Sequence, residues 1–198
     1  MKIFLIGPGG VGKSTCGEVL ANLLGYNFID LDTEFCERVE NVGAYINNYG
    51  YEKYCYENSK LFYEIVNQHL EDFVFSLSSG FLTHENLEDL TLGHKQSLRE
   101  LGISILLLPS KSLDECTRIV VQRQLSRGFG LKEDREKTKF IQRFPIYKKL
   151  GDIKIFSHEK PEIIAEQIQW LLLSFLRTYL LLSSKMSIPV DNPTSIYQ

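Results

Sequence analysis

The residues with the clearest chemistry are Gly7-Pro8-Gly9-Gly10-Val11-Gly12-Lys13-Ser14-Thr15, directly after the apolar run Ile3-Phe4-Leu5-Ile6. Their spacing satisfies G-x-x-x-x-G-K-[ST], the phosphate-binding loop. Glycine lets the backbone curl, so that N–H groups from Gly9 through Gly12 turn toward one anion. A Lys13 ammonium would reach the β- and γ-phosphates, and Ser14 and Thr15 open the helix whose positive end faces the same anion. A hydroxyl at Ser14 is the expected Mg²⁺ ligand. The pattern predicts a nucleoside triphosphate site.

Such a loop works only between a strand and a helix. Lys2–Ile6 reads as a short buried strand, and Lys13–Leu24 carries Cys16, Val19, Leu20, Leu23 and Leu24 at helical spacing. Further strand candidates are Asn27–Asp30, Phe73–Leu77, Ile103–Leu108 and Asp152–Phe156. Helical patterns lie between them at Thr33–Val39, Tyr51–Leu70, Asn86–Leu101, Leu113–Ser126, Arg135–Leu150 and Pro161–Leu182. This alternation predicts an α/β protein with a parallel sheet and helices on both faces.

Ligands in such sheets sit beyond the carboxyl ends of the strands. The second strand ends in Asp30-Leu31-Asp32, whose carboxylates could hold Mg²⁺ through water or accept a proton from a hydroxyl. Capping of the following helix is the alternative for Asp32. The third strand ends in Ser76-Leu77-Ser78-Ser79-Gly80. Among the arginines Arg118, Arg123, Arg127 and Arg143, two stand out. Arg127 adjoins Gly128-Phe129-Gly130, a candidate mobile lid, and Arg143 precedes a mid-helix proline. A kinase needs such a cation over the γ-phosphate and a closure that excludes water.

Composition bounds the alternatives. The 198 residues are 43% hydrophobic and 24% charged, ordinary for one globular domain, expected over 1–182 with a loose tail at 183–198. A net charge of −3 and a pI near 5.9 leave no basic footprint, so no nucleic-acid partner is expected. The tyrosines at 49, 51, 54, 56 and 63 read as pocket or core rather than a stacking platform. Four cysteines without a C-x-x-C pair suggest neither zinc nor a disulfide framework, and fit a cytoplasmic location. The apolar stretch Trp170–Leu182 is too short for a bilayer and is broken by Arg177. A monomer without membrane attachment is expected.

In the order and spacing of these landmarks the chain resembles the shikimate kinase family. The resemblance rests on the phosphate loop, Leu24-Gly25-Tyr26-Asn27-Phe28-Ile29-Asp30-Leu31-Asp32, the third strand end, and Arg143-Phe144-Pro145-Ile146-Tyr147, which fits R-x-P-x-Y. It implies a three-layer sheet of five parallel strands, order 2-3-1-4-5, with a mobile lid. It also implies ATP-dependent, Mg²⁺-assisted phosphoryl transfer to a hydroxyl of shikimate or a similar small polyhydroxy acid. Lys13, Asp32 and Arg127 would be catalytic, and Ser14 and Asp30 would lie at the metal. Asp32, Gly80 and Arg143 would bind the substrate, Arg143 at its carboxylate.

The acceptor side departs from the family. Cys55 stands where F-R-x-x-E carries a second clamp arginine, and Asn58 replaces its glutamate. Ser78-Ser79-Gly80 replaces G-G-G, which predicts reduced room, and Arg127-Gly128 replaces R-P. One lost charge-assisted bond would weaken binding by about ten- to a hundredfold. Restoring an arginine at position 55 would then improve affinity for shikimate. These changes also leave open a gluconate-kinase-like enzyme for another polyol or sugar acid, and an ATP-binding protein without catalysis.

Overall fold

A computed structural model describes residues 1–128 and 130–186, the stretch 175–186 as helix backbone only. Five strands form one parallel sheet: β1 (Lys2–Ile6), β2 (Asn27–Asp30), β3 (Phe73–Ser76), β4 (Ile103–Leu108) and β5 (Ile153–Phe156). Their order is β2-β3-β1-β4-β5, with β1 paired to β3 from Lys2 opposite Phe73 and to β4 from Ile3 opposite Ile103. The chain therefore reverses its direction of travel across the sheet beside β1, and the crevice opens there.

Helices fill both faces. They are α1 (Lys13–Leu24), α2 (Leu31–Arg38), α3 (Val42–Tyr49), α4 (Tyr51–Gln68), α5 (Glu88–Leu101), α6 (Leu113–Leu125), α7 (Glu133–Tyr147) and α8 (Pro161–Met186). The central strands are buried on both sides, which is why they read as continuous apolar runs. On one face, Phe4 and Phe75 from the sheet meet Phe62 of α4, Phe73 packs on Phe4 and Phe75, and Phe62 is also tilted against Phe81 at 4.9 Å between ring centroids. That aromatic cluster fixes α4 beside the end of β3. On the other face, α1 packs along α8.

The helix α3 is absent from the sequence reading, because Val42-Gly43-Ala44 and Asn47-Asn48 disguise it; Asn41 caps it through the Ala44 N–H. The last helix continues to Met186, past the expected boundary at Leu182, and the rest of the expected tail, from 187 onward, lies outside the described residues. Among the described residues no helix is long and apolar enough to cross a membrane.

Candidate active site

The loop between β1 and α1 leaves the sheet at Gly7, where φ is +144° and a Cβ would meet the Leu107 carbonyl oxygen of β4 at 2.5 Å. Only glycine fits that turn. Gly12, at φ +93°, then brings the chain into α1. Lys13 folds back over the loop, donating to the carbonyls of Gly7 (2.9 Å) and Pro8 (3.1 Å). Burial lowers its pKa to about 8, opposed by the nearby Asp32 and Asp30 carboxylates, so the ammonium stays charged at neutral pH.

The end of β2 supplies both carboxylates. Asp30 caps α2, accepting from the backbone N–H groups of Asp32 and Thr33, and also accepts from the Ser14 hydroxyl at 2.6 Å. Capping therefore falls to Asp30, and the capping alternative for Asp32 does not hold. Asp32 is exposed to the cleft, and the Ser78 hydroxyl donates to it at 2.5 Å. Ser78 is in turn held by the Asn58 amide at 3.1 Å. Ser78, one of the two serines at the turn expected to reduce room, orients Asp32, and the two departures at 58 and 78 form one connected unit.

Arg127 follows α6 and donates to Gln124 Oε1 at 3.1 Å. Gln124 itself lies against Gly9, where any Cβ would collide with its amide. Gly9, Gly10, Gly12, Lys13, Ser14, Thr15, Asp30, Asp32, Ser76, Ser79, Arg123, Gln124 and Arg127 line one polar cleft of about 350 Å³. Phe129, in the expected lid, lies outside the described residues. Gln124 was missed by the sequence reading; its signal is a glutamine one helical turn before Arg127. A second cavity of about 350 Å³ adjoins the first at Arg123 and is bounded by Arg118, Gln122 and His158. His158 lies just beyond β5, where the strand-end rule could have found it.

Arg143, on α7, is 8% exposed and sits across the β3 turn from α4. Its charge faces Glu85 at 3.6 Å. Burial opposes that charge, but Tyr51, Tyr147 and Glu85 more than offset it and the pKa is raised. Tyr147 donates to the Ser79 carbonyl at 2.5 Å, tying α7 to the turn. Neither Lys53 nor Arg38 takes the place of the cation missing at position 55. Lys53 lies over the Tyr49 ring, and Arg38 is paired with Glu34. Cys55 is fully buried against His84, its Sγ 3.2 Å from Nδ1.

The sheet order and the glycine-rich loop entering α1 define a P-loop α/β kinase fold. Residues 9–172 match the shikimate kinase family, and the chain belongs to it. These are ATP-dependent phosphotransferases that act on a hydroxyl group. A shikimate kinase of Nitrosococcus oceani is 29% identical over 162 residues, 81% of this chain and 80% of that protein. A pentafunctional AROM polypeptide of Pneumocystis carinii is 30% identical over 93 residues, 46% of this chain, and the match spans only 6% of that much longer protein. In structure, shikimate kinase from Acinetobacter baumannii, solved in complex with shikimate, superposes with a TM-score of 0.72, covering 87% of this chain and 93% of that one at 21% identity. That likeness speaks to the fold.

Proposed function

We propose that this chain transfers the γ-phosphoryl group of ATP to a hydroxyl of shikimate or a similar small polyhydroxy acid. The observation that carries the reading is the convergence of Lys13, Asp32 and Arg127 on one polar cleft, with a buried guanidinium, Arg143, in a neighbouring pocket that shares Gly9, Ser79 and Gln124 with it. The triphosphate lies along the backbone N–H groups of Gly9, Gly10, Val11 and Gly12, where Lys13 exchanges its two carbonyl partners for phosphate oxygens. The base lies in the adjoining cavity against Arg118, Arg123 and His158.

Mg²⁺ fits this site: Ser14 and Asp30 already bring a hydroxyl and a carboxylate oxygen within 2.6 Å of each other beside the loop, and hard oxygens suit that ion. When bound, it would neutralise charge on the β- and γ-oxygens. Asp32, kept in place by Ser78, accepts a hydrogen bond from the attacking hydroxyl and takes its proton as transfer proceeds. Arg127, braced by Gln124, meets the charge on the transferring group. Arg143 meets the acceptor's anionic group and so fixes which hydroxyl faces Asp32.

Acceptor-dependent ADP release with Mg-ATP tests this, comparing shikimate, a panel of sugar acids and polyols, and no acceptor. Saturable stimulation by shikimate or a related acid is expected. ATP binding without stimulation by any acceptor would overturn the reading.

A further inference from the structure

The turn after β3 has a bare α-carbon at Gly80, and three polar side chains from different parts of the chain close on it. A carbon placed at the Cβ position of Gly80 would lie 2.7 Å from Tyr51 Oη, 3.7 Å from Arg143 Nη1 and 3.9 Å from His84 Nδ1. Tyr51 opens α4, Arg143 lies on α7, and His84 belongs to the β3–α5 connection. The turn itself is continuous with the phosphate cleft through Ser79.

Each of the three carries an N–H or O–H close to the turn, and Tyr51 and His84 would turn theirs to a ligand by giving up contacts made within the cluster itself. Arg143 is buried with a hydrogen-bond-free Nε, and its nearest carboxylate belongs to the exposed Glu85. His84 is 8% exposed, with Nε2 buried and unpartnered and Nδ1 turned toward Tyr51 (3.4 Å) and Cys55 (3.2 Å). Burial keeps it neutral, with a pKa lowered to about 4, while the Tyr51 phenol is pushed up to about 12. Both are therefore neutral donors through the physiological range. A short side chain at position 55 is what leaves His84 its place, since Cys55 is fully buried beneath it.

We propose that Tyr51 and His84 are specificity-determining residues that complete, with Arg143, a seat for the carboxylate of the acceptor, Tyr51 giving its O–H and His84 its Nδ1–H in place of a second guanidinium. The inference rests on the kinase reading above. One fixed charge and two neutral donors would hold a carboxylate with little loss relative to two charges, because a hydrogen bond to an ionised carboxylate is charge-assisted even when its donor is neutral. The seat would also discriminate less sharply between the acid and its uncharged amide than a doubly cationic one.

Steady-state kinetics with shikimate and with its amide test this. Tyr51→Phe keeps the ring and removes the donor; KM for shikimate is expected to rise about tenfold or more, with kcat and the KM for ATP unchanged. His84→Leu is expected to do the same, and His84→Asn, which retains an N–H donor near the Nδ1 position, to restore most of the loss. If His84→Leu fails to fold, Tyr51→Phe and His84→Asn still decide. An unchanged KM for shikimate in Tyr51→Phe would overturn the proposal. A lowered KM would overturn it too, because the hydroxyl would then be filling the seat rather than lining it. Absence of any acid-dependent turnover in the unaltered protein, with ATP binding intact, would instead remove the kinase reading on which the proposal stands.

Discussion

Ser78 donates a 2.5 Å hydrogen bond to Asp32 across the mouth of the cleft, joining the end of β3 to the start of α2. Because Asn58 of α4 holds Ser78 from behind, the carboxylate is oriented by a chain of three residues from three elements. Replacing Asp32 with Asn should leave ATP affinity within about twofold, yet reduce kcat by a factor on the order of 10² to 10⁴, the usual contribution of a positioned base. Nucleotide titration set beside turnover separates the two effects. Equal loss of both would remove the division of labour between Asp32 and the loop.

Asn58→Ala tests the support. Asn58 is fully buried and its amide is a partner of Ser78, so its loss leaves buried polar atoms less satisfied. The expected cost is about 1–3 kcal/mol, or a fall in melting temperature of several degrees. Turnover should fall as well, since Asp32 loses the brace behind Ser78. Thermal unfolding and kcat measured on one preparation check both parts.

Lys13 gives a pH prediction. Burial lowers its pKa to about 8, so the ammonium is present below that pH and lost above it. The apparent second-order rate constant for ATP, kcat/KM, should therefore decline as pH rises through about 8, because that ratio reports ionisations of the free protein. Lys13→Ala should lower turnover by a factor on the order of 10² or more. A flat profile to pH 9.5 would mean the lysine is not the group that meets the phosphates.

Position 55 carries an outcome opposite to the one the resemblance implies. Cys55 is wholly buried with its sulfur on the His84 ring, so an arginine there displaces His84 rather than joining Arg143. Overpacking of this kind costs about 1–3 kcal/mol. Cys55→Arg should lower the melting temperature and raise, not lower, KM for shikimate. Improved affinity in a stable variant would show that the resemblance was the better guide.

The sheet was legible because its signals are strong and local. Lys2–Ile6, Asn27–Asp30 and Ile103–Leu108 are apolar or strand-forming runs closed by chemistry-bearing ends, and the structure forms each over those same residues. Helix α3 was not, since one glycine and two asparagines interrupt its eight residues and its stability comes from packing, Tyr45 against Phe35 at 5.3 Å. In the site, the loop and the two aspartates follow from spacing. The pairing of Ser78 with Asn58, and of His84 with Cys55, joins residues 20 and 29 positions apart, which spacing alone does not connect. Ser78 read in isolation is an obstruction; read with Asn58 and Asp32 it is a support.

The most direct test of phosphoryl transfer is phosphorus NMR of the protein incubated with Mg-ATP and shikimate. The account predicts a phosphate-monoester signal on the acceptor that grows in step with ADP and is absent for Lys13→Ala. ADP accompanied only by inorganic phosphate, or ATP left intact by a sample shown to bind it, would contradict the account.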